Sequence, residues 1–229
     1  MNRTNILAAF LAVCVLTATV GAADAQSILT RQGLSDEQVW QSVETLVSMG
    51  RGVEPGLCPA MADTTRPPAA RMAAAAAMMR LGDQRGGVLG LEQVAMDPAA
   101  PMARRLECAQ LLGKWGGEYA AARLGIMMNA SAAPEQLRVE LAYSLWKLSS
   151  RPQAYEVLEN IRQYGKSGLA RAEATLALAQ TDRFHSLRSE IKTLAETPGP
   201  IGERAQNILL INNRFSEEVR RDDFAVMLT

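Results

Sequence analysis

Apolar positions recur along this chain in two registers that repeat together every 33 to 34 residues. Five arginines, Arg71, Arg105, Arg138, Arg171 and Arg204, set the phase, at steps of 34, 33, 33 and 33. One residue after them stand Met72, Leu106, Val139, Ala172 and Ala205. Four after stand Ala75, Ala109, Ala142, Thr175 and Ile208, and seven after stand Met78, Leu112, Leu145, Leu178 and Ile211. Apolar columns three residues apart mark one face of an α-helix. Four residues before each arginine come Pro67, Pro101, Pro134, Ser167 and Pro200. Proline is favoured at the first position of a helix, where its missing N–H costs nothing and its φ is already helical. The pattern therefore predicts five leading helices.

Each of the first four leading helices runs into a turn: Gly82-Asp83, Gly116-Gly117, Ser149 to Pro152, and Thr181-Asp182. A second apolar stripe follows each turn. It is carried by Val88, Leu91 and Val94, then by Ala121, Leu124 and Met128, then by Ala154, Val157 and Ile161, and last by Leu187, Ile191 and Leu194. A helical hairpin of about 33 residues is too small to bury both of its faces, so neighbours must stack to complete a core. The expected fold is all-α, an α-solenoid of about five stacked helical hairpins capped at both ends. Residues 67–214 carry the repeats. Residues 26–66 are expected to form an N-terminal capping helix, N-capped by Ser35 and running to about Met49, then an irregular link from Gly50 to Arg66 with room for one helical turn. Residues 215–229 are expected to form a separate C-terminal helix with Val219, Phe224 and Leu228 apolar.

The first 25 residues read as a secretory signal peptide: Arg3, an apolar run from Ile6 to Val20, and Ala23-Asp24-Ala25 as a small-x-small cleavage pattern. That run is short of the ~20 residues a spanning helix needs, and no later stretch approaches that length. The expectation is a periplasmic or secreted protein with no membrane insertion after signal cleavage. Cleavage removes one charge of each sign from totals of 24 basic and 24 acidic residues. The mature balance stays neutral, which argues against a general nucleic-acid binder. The chain is 48% hydrophobic with only 5% aromatic residues, a close-packed helical composition. Two cysteines remain after cleavage, Cys58 and Cys108. An oxidising compartment allows them to pair; equally, Cys108 occupies a helix position that is otherwise small or apolar.

Leu81-Gly82-Asp83, and then Met96-Asp97-Pro98, Arg105 and Leu111-Leu112-Gly113-Lys114, resemble the HEAT-like repeats of the type found in phycobilin lyases. From Pro134 to Arg214 the resemblance thins to period, prolines and apolar stripe, with Ser149-Ser150 and Ser167 as departures. A tetratricopeptide array would suit the period, but its aromatic positions are not filled. The resemblance implies that each column arginine reaches back to the preceding linker and fixes the angle between repeats. Asp63 and Asp97, eight residues before Arg71 and Arg105, are placed for that role, and Glu196 holds the same place before Arg204. Ala130 and Gln163 leave the middle two without a carboxylate.

Catalytic chemistry finds no foothold in the sequence. His185 is the only histidine, without the Cys or His company of a metal site and without a nucleophile motif. No catalytic, cofactor-binding or metal-ligating residue is singled out, and no enzyme activity is expected. The function this favours is a protein-binding scaffold or adaptor whose partner is another protein. The alternative is an N-terminal regulatory module of a larger extracytoplasmic enzyme, because Val226-Met227-Leu228-Thr229 continues an apolar pattern without a stop signal. In stacked HEAT-like repeats the second helices line the binding surface, so their outward rows are the candidate site: Glu92, Ile126, Glu159 and Lys192, with Arg123 and Glu156 in the neighbouring row. Ile126 interrupts a charged row. It is either core in a slightly rotated helix or an apolar centre with Arg123 and Glu159 in its rim.

Overall fold

The structure is a computed structural model describing residues 27–30 and 35–227, with side chains for these except residue 36 and residues 214–227. The expected signal peptide, residues 1–25, lies outside the described residues, as do the side chains of Val219 and Phe224 and the whole of Leu228. The described chain is all-α. In order it forms α1 (Asp36–Ser48), a 3-10 turn (Arg51–Val53), α2 (Glu54–Ala62), α3 (Pro68–Leu81), α4 (Gln84–Met96), α5 (Met102–Trp115), α6 (Glu118–Met128), α7 (Glu135–Ser149), α8 (Pro152–Tyr164), α9 (Gly168–Ala179), α10 (Phe184–Ala195) and α11 (Pro200–Met227). The leading helices α3, α5, α7, α9 and α11 each pack on the next. Each second helix bridges its own leading helix and the following one: α4 touches α3 and α5, α6 touches α5 and α7, α8 touches α7 and α9, and α10 touches α9 and α11.

Local chemistry starts and stops these helices. Ser35 caps α1 reciprocally with Gln38: the Gln38 N–H donates to Ser35 Oγ at 3.3 Å, and the Ser35 N–H donates to Gln38 Oε1 at 2.9 Å. Pro67, Pro101 and Pro134 stand at the N-cap, one position earlier than expected, while Pro200 opens α11. The N-cap suits them because its backbone is extended and its carbonyl is what the helix needs. Those carbonyls accept the N–H of Arg71, Arg105 and Arg138 at 3.2, 3.2 and 2.9 Å. After α3, Gly82 takes a left-handed φ of 103° that side chains disfavour, and Asp83 Oδ1 accepts the Gly86 N–H at 2.9 Å to cap α4.

The column arginines do reach back, but to the backbone. Nε of Arg71, Arg105 and Arg138 donates to the carbonyl of Met61, Ala95 and Met128 at 3.2, 2.8 and 3.1 Å. Each acceptor stands ten residues earlier, at the end of the preceding helix, where carbonyls lack intrahelical partners. Arg171 makes a shorter reach, Nη1 to the Gly165 carbonyl at 2.6 Å. The carboxylates expected to receive Arg71 and Arg105 are engaged elsewhere. Asp63 binds Thr65 and Arg66, and Asp97 accepts from Arg71, 26 residues before it, at 2.8 Å. A backbone acceptor explains why Ala130 and Gln163 break nothing.

Burial follows the columns with few exceptions. The column four residues after each arginine is buried throughout, from Ala75 to Ile208, and the next is buried at Met78, Leu112, Leu145 and Leu178. Leu106 and Ala172 are half-buried, and Leu158 rather than Val157 fills the core of α8. Helix α3 is buried from Ala70 through Met79, as a helix apolar on every side must be. Its alanines let neighbours come close: a Cβ on Gly87 of α4 would stand 2.2 Å from Met79 Cγ and 2.7 Å from the Ala75 carbonyl oxygen. Beyond α3, Trp40 of α1 meets Trp115 of α5 edge to face, ring centres 5.8 Å apart.

Three expectations need correction. Residues 50–66 are not an irregular link, because α2 spans Glu54–Ala62 and buries Leu57, Ala60 and Met61. Pro55 sits in its first turn, where proline assists a helix. No break separates residues 67–214 from 215–229: α11 continues unbroken to Met227, with no Gly or Pro from Ile211 to Phe215 to stop it. Ile211 leaves its column and is 66% exposed, since no further leading helix packs on α11 among the described residues.

Three substitutions test this packing. Gly87→Ala is expected to lower the unfolding free energy by about 1–3 kcal/mol, the usual overpacking cost, because backbone atoms cannot yield. Gly52→Ala, whose Cβ meets nothing within 4 Å, is expected to be neutral in the same denaturant titration. Arg105→Met keeps the stem and removes the donor; leaving the Ala95 carbonyl unpaired is expected to cost about 1–3 kcal/mol. An unfolding midpoint equal to the parent's would show that the reach-back contact does not hold the helices together.

Candidate functional site

The six residues singled out lie on successive second helices, Glu92 on α4, Arg123 and Ile126 on α6, Glu156 and Glu159 on α8, and Lys192 on α10. Glu92 and Arg123 come together as a two-pronged pair. Arg123 Nε donates to Glu92 Oε2 at 2.6 Å and Nη2 donates to Oε1. Hydrogen bonding to Glu92 is the main reason the Arg123 guanidinium is held above its ordinary pKa. This fork geometry ties α4 to α6. Ile126, one turn beyond Arg123, is 57% exposed, so the core alternative falls. Leu89, one turn before Glu92, is 37% exposed. The face therefore carries two exposed aliphatic side chains on helices joined by an internally satisfied ion pair.

The rest of the predicted rim does not assemble around Ile126. Glu159 turns along its own helix, accepting from Arg162 Nη2 at 2.5 Å and Gln163 Nε2 at 2.6 Å. The Arg162 hydrogen bond, partly opposed by burial, holds its carboxyl below the ordinary range. Arg162 also bonds Glu190 of α10 at 2.9 and 3.1 Å. Glu156 and Lys192 are exposed and make no ion pair among the described residues. Arg123, expected with Glu159 in the rim of Ile126, is taken by Glu92.

A second polar region lies on the leading helices, outside the six residues singled out. Two residues after the last four column arginines stand Glu107, Glu140, Glu173 and Gln206, a column visible in the residue order. Glu140 of α7 is half-buried, and desolvation raises its carboxyl pKa above 4.5 against hydrogen bonds from Gln110 and Ser144 and the charges of Lys147 and Arg204. Desolvation likewise raises Glu173 of α9, which accepts from Gln136 Nε2 at 3.3 Å. Nearby, Tyr143 Oη donates to Gln180 Oε1 at 2.7 Å, its ring stacks on Trp146, and Lys147 Nζ lies 4.9 Å from the ring centre. Of these side chains Tyr143 and Gln180 border a groove of about 530 Å³ between Tyr143, the end of α9 and α11.

The remaining candidates are accounted for individually. Cys58 is exposed on α2, Cys108 is buried in α5, and both thiols are free, so the pairing alternative is not what the structure adopts. Burial pushes the Cys108 thiol pKa strongly upward, which leaves it unreactive. His185 is exposed at the start of α10. Among the described residues no three His, Cys, Asp or Glu side chains gather as a metal site, and no helix is long and apolar enough to cross a membrane. No family model matches the chain, and no curated protein matches it.

Glu140 gives a test of sign. A carboxyl with a raised folded pKa contributes stability that is complete below about the ordinary 4.5 and is lost as pH rises through the folded value. Glu140→Gln is therefore expected to unfold at higher denaturant than the parent at neutral pH, with the gain shrinking as pH falls toward 4.5. A gain that grows on acidification would reverse the assignment.

Proposed function

We propose that the chain is an exported α-solenoid of the HEAT-like kind that serves as a protein-binding scaffold, docking a partner protein on its second-helix face. Export rests on the residue pattern of the first 25 positions. The solenoid reading is supported by the 33-residue period together with the repeated arginine-to-carbonyl contact, which gives successive hairpins a common attachment.

One observation carries the docking face: Ile126 is 57% exposed on helix α6 beside Arg123, which Glu92 already satisfies. A large aliphatic side chain in water gains by being covered, by roughly 25 cal/mol for each Å² of apolar surface removed. The adjoining ion pair is fixed in advance and needs no new partner, so it loses little conformational freedom when the face is covered. Such a face selects for shape and apolar contact at its centre and leaves charge to its rim. The partner is accordingly a protein presenting a small apolar patch. No catalysis is proposed.

Ile126→Glu provides the test. The variant is expected to keep the parent's melting temperature, since the side chain is already hydrated, and to lose the partner captured by the tagged parent from an envelope fraction. A drop in stability of several kcal/mol would return Ile126 to the core. Retained capture by a folded variant would remove this face from the proposal.

A further inference from the structure

Arg204 is the fifth member of the arginine column, and it has been released from the column's task. In the last hairpin the reach-back bond is made by Gln206, whose Nε2 donates to the Ala195 carbonyl at the end of α10 at 2.8 Å. Among the described residues Arg204 is ion-paired with Glu173 alone, with Nη1 to Oε1 at 3.9 Å, beyond hydrogen-bond distance. The Arg204 side chain is 47% exposed. Among the described residues nothing accepts a hydrogen bond from its guanidinium, whereas Arg71, Arg105, Arg138 and Arg171 donate theirs to backbone carbonyls.

Arg204 lines the groove between the end of α9 and α11, together with Tyr143, Gln180, Asn207, Ile208 and Ile211. Among the described residues no carboxylate lines it; Glu173, half-buried, stands 3.9 Å from Arg204 without being part of the lining. Ile211, in the column place where Met78, Leu112, Leu145 and Leu178 are buried, is 66% exposed on that wall. The groove therefore combines a planar cation, weakly paired to Glu173 and donating no hydrogen bond among the described residues, with side-chain amides and an aliphatic floor. At about 530 Å³ it is of the size that holds an organic ligand rather than a lone ion.

We infer that this groove receives an acidic segment of a partner polypeptide, in which an Asp or Glu stands next to a bulky apolar residue. The carboxylate takes the Arg204 fork, a geometry that lysine does not reproduce. Asn207 offers a donor and an acceptor to peptide groups, Gln180, already bonded to Tyr143 and the Leu176 carbonyl, adds its remaining capacity, and Ile208 and Ile211 cover the apolar side chain. The choice of a polypeptide rests on the scaffold reading above, but the surface is a different one, on the leading helices.

A random-peptide library displayed on phage, selected against the full chain, is the probe. The recovered peptides are expected to carry Asp or Glu beside Leu, Ile or Phe. A synthetic copy of the best one is expected to bind Arg204→Gln about tenfold or more weakly. Ile211→Glu is expected to weaken it similarly, Arg204→Lys to restore only part of the affinity, and Ile126→Glu to bind as the parent does. Parental melting temperatures for Arg204→Gln and Ile211→Glu attribute the losses to the groove. The inference is overturned if no peptide is enriched, if the recovered peptides lack carboxylates, or if Arg204→Gln binds within about twofold of the parent. It is equally overturned if glutarate alone competes as well as the peptide, which would make this a small-carboxylate site. If Ile126→Glu loses the envelope partner while the peptide result fails, the scaffold reading stands and the groove falls. The opposite outcome removes the second-helix face and leaves the groove.

Discussion

A guanidinium Nε bonded to the final carbonyls of the helix before it is the contact on which the arrangement of this protein depends. Helix ends leave several carbonyls without intrahelical partners, and a chain that turns sharply after each helix would otherwise bury some of them unpaired. Arg71, Arg105 and Arg138 satisfy one such carbonyl each. At the same time they join the end of one hairpin to the start of the next at a set distance. The column proline belongs to the same device, since its carbonyl accepts the N–H of the arginine four residues on. Because both partners of the proline contact and one partner of the arginine contact are backbone, the linker between helices is free to vary in sequence.

Side-chain size sets how closely the attached helices then approach. Helix α3 carries five alanines in a row, residues 73–77, and α4 lies against it so closely that Gly87 has no room for a methyl group. Trp40 and Trp115 meet at the edge of this small-residue region. Toward the C-terminal side the leading helices carry Tyr143, Trp146, Glu140 and Glu173 instead, and here packing leaves half-buried polar groups and a groove. Carboxyl groups with raised pKa values at Glu140 and Glu173 are the electrostatic signature of that looser, partly desolvated region.

The two proposed faces differ in how their charges are used. On α4 and α6, Glu92 and Arg123 neutralise each other, so what remains for a partner is the aliphatic surface of Ile126 and Leu89. On α11 the opposite holds: Gln206 takes over the structural bond, and Arg204 keeps its donors. The first arrangement favours contact by shape and area, the second a directed bond to a carboxylate.

Helix positions, turn positions and most buried columns were legible in the order of residues, because they arise from interactions over a few positions. Ala75, Ala109 and Ala142 stand on one face whatever lies opposite, and Gly82-Asp83 ends one helix and caps the next through local bonds. The partners of the column arginines were not legible, because a backbone carbonyl leaves no mark in the residue types. Asp63 and Asp97 drew attention as carboxylates while Met61 and Ala95 accepted the bonds. Helix α2 was hidden by Pro55 and Pro59, since its stability comes from burying Leu57 and Met61 against neighbours rather than from propensity. Ile211 and Arg204 repeat the column residues in sequence but not in environment. A column position is buried only where another helix covers it, and an arginine is occupied only where no other side chain reaches its acceptor first. Those two conditions are decided by the packed chain.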